Sequence, residues 1–353
     1  MDSQNVLVTS AGSIVAQGIM KCLNLANQQA GTDGRYKIVA ADMSPRAPGL
    51  YRADFGALVP PVTSPDYLDF IIKLCLEKKI RAVFVGSDEE TFPLALAKDD
   101  IENKSGAVVI TNPPDVISIA TDKWETFRFL KQRKLPCAES ALPKDRVKFV
   151  RRTGFPVVVK PREGHGSLHF YVAHDEDELE ASISIISKAG WRPFLQEYLD
   201  GEDSEFTSGV TISTSGKIMS SISMRKFLKG GQTYKAFIDD YAEVRKVAEE
   251  TALQIGARGP INIQGKMSGG TIKTFEINPR FSATSPLRAV AGINEADIIF
   301  RNVVFREEPR KNKYERLVCM RYLNEVYIPY STYEDTERNR SVQVSNSFIP
   351  NYF

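Results

Sequence analysis

The stretch Lys273-Thr274-Phe275-Glu276-Ile277-Asn278-Pro279-Arg280 constrains this chain more than any other. Successive side chains of a strand point to opposite faces, and the stretch alternates accordingly. Phe275 and Ile277 share one face, and Thr274, Glu276 and Asn278 share the other. Pro279 has no N–H to give a central ladder, so the strand ends there. Gly269-Gly270 just upstream is a hairpin turn, which makes the run from Ile261 to Lys266 the partner strand. That partner carries Asn262 and Gln264 on one face, so Gln264, Glu276 and Asn278 can face the same ion. One carboxylate, two amide oxygens and the guanidinium of Arg280 suit a hard divalent cation and the phosphates of a nucleotide. A surface strand with ordinary polar residues would alternate in the same way, so the rest of the chain has to decide.

The N-terminal part reads as strand, helix, strand. Asn5 to Thr9 is an apolar strand, Ile14 to Asn27 a helix and Tyr36 to Asp42 a second strand. A helix from Pro65 to Ile80, a strand from Ala82 to Asp88, a helix from Thr91 to Ala97 and a strand at Val108-Val109-Ile110 continue the rhythm. Asn112-Pro113-Pro114 punctuates it. This predicts an open, doubly wound parallel sheet over residues 1–114. Asp42 at a strand end invites a dinucleotide ribose, but Gly12 and Gly18 stand alone where that site needs Gly-x-Gly-x-x-Gly. Lys plus Arg is 46 and Asp plus Glu 44, a net charge of +2 that gives no support to a nucleic-acid partner. The four cysteines lie far apart and read as free thiols in a reducing compartment. No apolar run is long enough to span a bilayer, and no basic leader precedes the first strand, so the expected location is the cytoplasm with no membrane partner.

The second half carries the charged signals. Asp115 to Lys134 reads as one helix, with Lys123 in its middle. Phe155 to Pro161 is a buried strand ending in Lys160, and a lysine there is costly unless it meets an anion or snorkels to water. Gly164, Gly166 and Ser167 follow in a loop whose backbone can close over phosphates. All three histidines, His165, His169 and His174, lie here without a metal-ligand spacing, and His165 reads as a phosphate or substrate contact. A helix from Asp175 to Lys188 leads to a strand through Glu197, Tyr198 and Leu199, then to the acidic turn Asp200 to Asp203. Strands follow from Glu205 to Thr211 and from Lys217 to Met224, the latter ending in Arg225 and Lys226. Lys229 to Thr233 reads as a flexible turn, Tyr241 to Ile255 as an amphipathic helix and Phe281 to Arg288 as a small-residue loop. After a helix from Ala296 to Val304, a last strand is expected from Leu317 to Ile328, and a poorly ordered tail from Ser331.

This order of motifs resembles the ATP-grasp superfamily, closest to its carbamoyl-phosphate-synthase-like carboxylate–amine ligases. The resemblance implies an ATP-grasp fold at 115–310, with a lid at about 150–200, after a Rossmann-like parallel-sheet domain at 1–114. A C-terminal strand and tail fill 311–353. The class is α/β, with α+β character in the C-terminal part. It implies ATP and Mg²⁺, with Mn²⁺ as a substitute. Lys123 and Lys160 would contact the α- and β-phosphates, and Gly164, Gly166 and Ser167 would form the lid loop. Glu197 and the backbone of Tyr198 and Leu199 would hold the adenine edge, and Glu202 or Glu205 the ribose. Gln264, Glu276 and Asn278 would hold the metal. Arg280, helped by Arg225, would meet the γ-phosphate or an acyl phosphate, and Arg288 would grip the substrate carboxylate. Only one of the three metal residues is a carboxylate, so phosphate oxygens must supply much of the negative charge. The implied activity is ADP-forming ligation of small-molecule carboxylates and amines, with a homodimer through the N-terminal domain by analogy. The rival readings are a non-catalytic ATP-binding regulator of the same fold and a nicotinamide-dependent oxidoreductase.

Overall fold

The computed structural model describes residues 3–30, 35–164, 168–201, 204–308, 313–343 and 346–351. The N-terminal strands are β1 (Gln4–Val8), β2 (Tyr36–Asp42), β3 (Phe55–Leu58), β4 (Ala82–Phe84) and β5 (Val108–Ile110). They pair in parallel in the order β3-β2-β1-β4-β5. Helices α1 (Ile14–Ala30), α2 (Tyr67–Glu77), α3 (Asp88–Leu96) and α4 (Lys98–Ser105) connect them. Parallel strands covered on both faces must be apolar on both. Val6 and Val8 accordingly join the core around α1, while Leu7, Val39 and Val83 join the core around α2. The strand order reverses between β1 and β4, which opens a crevice beyond their carboxyl ends. Asp42 is tied down there: its carboxylate accepts from Gly12 N–H (2.7 Å) and Ser44 N–H (2.8 Å), so it shapes the β1–α1 turn.

The single helix expected from Asp115 is two helices, α5 (Pro114–Thr121) and α6 (Lys123–Gln132). Asp122 between them is extended and caps α6, accepting from Trp124 and Glu125 N–H. Lys123 is therefore the first residue of a helix and not the middle of one. A small antiparallel sheet follows, made of β6 (Ser140–Ala141), β7 (Val157–Pro161), β8 (Tyr171–Ala173) and β9 (Pro193–Glu197). Its order is β6-β9-β7-β8. Helices α7 (Arg146–Thr153) and α8 (Glu176–Lys188) pack Phe149, Leu179 and Ile186 onto Val157, Val159 and Leu195 of one face.

The large sheet contains β10 (Glu205–Ile212), β11 (Ile218–Lys229), β12 (Gln232–Ile238), β13 (Pro260–Ser268), β14 (Thr271–Asn278) and β15 (Leu317–Met320). Its order is β14-β13-β10-β11-β12-β15, antiparallel throughout. Helix α9 (Ala242–Gln254) covers one face with α5, and α10 (Ser285–Val290) and α11 (Glu295–Phe305) border the other. Three expectations are corrected here. β11 runs on to Lys229 and pairs with β12 through a Gly230-Gly231 turn, so the supposed flexible turn is the tip of a hairpin. β15 stops at Met320. The tail forms α12 (Tyr330–Asn339) and β16 (Ser341–Gln343), and β16 adds an antiparallel edge strand to β3. Only Thr336 of α12 is buried, so the tail carries almost no apolar periodicity to read.

Arg288 is a further correction. It was expected to grip a substrate, but its side chain is 1% exposed and lies inside the fold. Its guanidinium pairs with Glu295 (3.0 Å) and donates to Asn262 Oδ1 (2.6 Å) and Thr207 Oγ1 (3.1 Å). The pair lies over Gly209, where a Cβ would come within 1.8 Å of Glu295 Oε1. Removing one partner leaves a buried charge uncompensated, so Glu295→Ala should lower stability by about 3–5 kcal/mol. Urea denaturation measures this, and a loss below about 1 kcal/mol, the value of an exposed pair, would remove the assignment.

Candidate active site

The crevice of the N-terminal sheet faces the open side of the other two sheets, and a cleft of about 800 Å³ lies between them. Ser13 to Val15 after β1 and Gly86 to Glu89 after β4 form one wall. Lys160 and Gln196 of the small sheet and Glu205, Lys226, Gln264 and Glu276 of the large sheet line the rest.

The oxygen ligands come from the β13–β14 hairpin. Its register sets Gln264 opposite Glu276 and Asn262 opposite Asn278 only because of an irregularity between Gln264 and Gly265. The strict alternation expected of this stretch is corrected there: Phe275 lines the cleft together with Glu276 instead of sharing the face of Ile277. No described residue hydrogen-bonds or ion-pairs with the Glu276 carboxylate, which faces a cleft lined by cations. Gln264 Oε1 accepts from Lys226 Nζ, and Asn278 Oδ1 accepts from Arg280 at 3.3 Å. Among the described residues no group of three or more His, Cys, Asp or Glu is placed to hold a metal. One unpaired carboxylate flanked by two amide oxygens fits a Mg²⁺ ion that arrives already bound to phosphate oxygens.

The cations come from four elements. In β7, Val157 and Val159 enter the core and Lys160 at the strand end reaches the cleft. Lys160 Nζ donates to Gln196 Oε1 at 2.9 Å, a neutral partner. Burial above all, and then the charge of Lys123, hold its ammonium down at about 8, against the opposing pull of Glu276 and Glu205. Lys123, at the start of α6, donates Nζ to the carbonyl of Gly164 (2.7 Å) and so touches the glycine loop. Gly164 itself has φ +110°, a conformation that side chains avoid. Arg280 forms a two-pronged ion pair with Asp88 (2.9 and 2.7 Å), which joins the strand end of β14 to the start of α3.

The fourth cation is one the sequence reading passed over. Lys226 is buried in the cleft wall and bonds Glu205 (2.9 Å) as well as Gln264. Arg225, expected there, is on the other face of β11 and stacks over Phe237 (4.8 Å) and Phe227 (5.7 Å). Strand alternation allows only one of two consecutive residues to face the cleft. The available signal was parity: in the ladder, β11 lies beside β10, whose Glu205 and Thr207 face the cleft.

The remaining candidates divide. Glu197, Tyr198 and Leu199 all line the cleft. The Glu197 carboxylate is already held by Lys273 (2.9 Å) and by Glu139 N–H (2.7 Å), and the Leu199 carbonyl accepts from Lys266 (2.8 Å). Gly166, Ser167, Glu202 and His165 lie outside the described residues. A wider, shallower depression of about 1060 Å³ beside α6 has its charges paired with one another, Arg128 with Glu125 and both Lys131 and Arg152 with Glu139.

Residues 120–284 match the family model of the ATP-grasp domain, and residues 6–110 match that of the PylC-like N-terminal domain. The chain is 28% identical over 325 residues to the carbamoyl phosphate synthase large chain of Thermomicrobium roseum, covering 84% of this chain and 29% of that one. It thus spans about three-tenths of the length of that relative. Among solved structures, the biotin carboxylase of Campylobacter jejuni in complex with β,γ-ATP superposes with a TM-score of 0.71 at 15% identity, over 88% of this chain and 73% of that one. The N5-carboxyaminoimidazole synthetase of Staphylococcus aureus complexed with ADP gives 0.69 at 16% identity, over 96% and 86%. At such identity these two establish a shared fold. No helix among the described residues is long and apolar enough to cross a membrane. With residues 6–110 and 120–284 matched to their family models and this fold closed around one cation-lined cleft, the chain carries an ATP-grasp domain behind a PylC-like N-terminal domain.

Proposed function

We propose that the protein is an ATP- and Mg²⁺-dependent ligase that joins a small-molecule carboxylate to an amine through an acyl phosphate. The observation that carries this reading is the convergence of Lys123, Lys160, Lys226 and Arg280 on the cleft that holds the unpaired Glu276. In the first step a substrate carboxylate oxygen attacks the γ-phosphorus, the bond to the β-phosphate bridging oxygen breaks, and ADP leaves. In the second step the amine nitrogen attacks the acyl carbon, the C–O bond to phosphate breaks, and the amine proton passes to the departing phosphate or water. Neither step needs a protein nucleophile, because the work is positioning and charge neutralisation. Mg²⁺, held by Glu276 with Gln264 and Asn278, would supply charge neutralisation on the transferred phosphate.

The chain's own groups have distinct tasks in this reading. Lys160 binds the α- and β-phosphates and exchanges its bond to Gln196 for phosphate oxygens. Lys123 does the same, exchanging its bond to the Gly164 carbonyl for phosphate oxygens. Lys226 steadies Gln264 and Glu205, and Glu205 takes the ribose hydroxyls. The backbone of Tyr198 and Leu199 receives the adenine edge, since the Glu197 carboxylate is committed to Lys273. Arg280, aimed by Asp88, meets the γ-phosphate and then the acyl phosphate. Residues 1–114 wall the acceptor side and residues 115–310 the nucleotide side. Closure over this site keeps water from the acyl phosphate.

The direct test is ADP and phosphate release from Mg-ATP against pooled carboxylates and amines. Release that requires both a carboxylate and an amine supports the proposal, and release of AMP overturns the acyl phosphate. Glu276→Gln should lower kcat at least about 100-fold, the scale of one lost charge-stabilising group, with an unchanged melting temperature. Full turnover in that variant would remove the metal assignment.

Lys160 gives a pH signature. Below about pH 7 it is charged and ready for phosphate, while above its value of about 8 the free protein has lost the proton. Phosphate favours the charged form, so binding at high pH must take a proton up. Affinity for Mg-bound AMP-PNP should be flat below pH 7 and fall towards about tenfold per unit above pH 8. Titration calorimetry from pH 6.5 to 9.5 reads this, and Lys160→Met should flatten the curve. The same slope in the variant would assign the titration elsewhere.

A further inference from the structure

We propose that Arg321 anchors an anionic group, a carboxylate or a phosphate ester, of the molecule received on the acceptor side of the cleft; this rests on the ligase reading above. Arg321 follows β15 directly, and its backbone N–H donates to Tyr234 O at 2.9 Å, which fixes where the side chain starts. The guanidinium lies in the cleft wall. Its Nη1 donates to Thr233 O (3.3 Å) and its Nη2 to Ala283 O (2.5 Å). Thr233 stands beside the turn of the β11–β12 hairpin, and Ala283 is three residues past Arg280, so two separate segments hold the fork in place.

A guanidinium has five N–H groups, and these two bonds leave three. No described carboxylate pairs with Arg321, whereas Arg280, Arg288 and Arg162 each have one, in Asp88, Glu295 and Asp122. Lys21 on α1 is close enough to feel the same positive charge. A half-buried cation beside a second cation, with no counter-charge among the described residues, is an unfavourable arrangement that an arriving anion relieves. The three spare N–H groups of a planar fork match the geometry of carboxylate or phosphate oxygens.

The position separates this anion from the nucleotide. Arg321 is bonded to the loop Ser282 to Thr284, and α1 packs on that loop at Gly18, against Ser282 and Ala283. Lys160 lies over the Phe275 ring of β14, the edge strand opposite β15 in the large sheet. An anion at Arg321 therefore lies against the N-terminal sheet and not on the phosphate lysines.

The test uses succinate and ribose 5-phosphate as probes, each titrated calorimetrically into the full chain saturated with Mg-bound AMP-PNP. One of the two should bind wild type, and Arg321→Gln should weaken that binding at least tenfold while leaving AMP-PNP affinity within twofold. Succinate as the sole binder identifies a carboxylate, and ribose 5-phosphate as the sole binder a phosphate ester. Equal probe binding in variant and wild type, or no binding of either probe to wild type, overturns the proposal. Failure of wild type to bind AMP-PNP would overturn the ligase reading instead. A second measurement needs no variant: phenylglyoxal labels exposed arginines, and the bound probe should shield Arg321 in the peptide map while the buried Arg288 stays unlabelled throughout. Equal labelling of Arg321 with and without probe also overturns the assignment.

Discussion

A slip of one residue between β13 and β14 would turn Glu276 and Asn278 out of the cleft and destroy the candidate site. Several features prevent it. Gly269 and Gly270 both have positive φ (+57° and +76°), the conformation of a two-residue turn whose twist matches the strands it joins. Ile277 of β14 is buried in the core under α5 and α9 against Ile261 and Ile263 of the partner strand, so turning β14 over would expose it. A side chain of that size is worth about 1.5–3 kcal/mol when fully buried, which favours the correct register. The turn alone would pair Gln264 with Phe275, and the one-residue irregularity between Gln264 and Gly265 shifts the ladder so that Gln264 lies opposite Glu276 and Asn262 opposite Asn278.

The cations around that hairpin pose the opposite problem. Lys123, Lys160, Lys226 and Arg280 line one cleft, and like charges gathered in a half-buried space repel. The fold answers this for Arg280 with Asp88 and for Lys226 with Glu205. Lys160 has only the amide of Gln196, and its ammonium is correspondingly the one pushed down to about 8. The arrangement is preorganised for a polyanion. Paired cations hold their geometry, and the buried Lys160, with only a neutral partner, gains most when phosphate arrives.

Much of this was legible in the sequence where the signal is local. The β13–β14 hairpin announces itself through two alternating strands and a Gly-Gly turn, and Lys160 through a charge at the end of an apolar run. The parallel N-terminal sheet follows from its apolar strands and intervening helices. What was not legible depends on distant partners. Arg225 and Lys226 are neighbours of like charge, and only pairing with β10 decides that Lys226 turns inward. Arg288 sits among small residues with nothing local to mark it as buried, since its partners come from β10, β13 and α11. The tail gave no pattern because β16 is three residues long and its partner β3 is nearly three hundred residues earlier. Lys123 had a local signal, Asp122 as a helix cap, hidden by reading the helix as continuous.

The buried Arg288 network shows how a residue outside the cleft can still set its geometry. Asn262 Oδ1 accepts from Arg288 (2.6 Å) and from Thr207 Oγ1 (2.8 Å), and Asn262 is the ladder partner of Asn278. Glu295 completes the set by accepting from Ser285 (2.6 Å) as well as Arg288. The network thus clamps β10 and β13, the strands directly beside the oxygen ligands, to α10 and α11 behind them. An ion pair this deep contributes little net stability relative to an apolar filling, because desolvation offsets attraction. Its bonds are directional, however, and nearly all its polar atoms are satisfied, with Arg288 Nε the exception among the network's described atoms. Apolar packing could hold the strands together, but it would leave their spacing free to adjust by the small amounts a metal site does not tolerate. The bare Cα of Gly209 leaves the room in which this network forms, so the glycine, the ion pair and the register of Gln264 with Glu276 form one linked constraint.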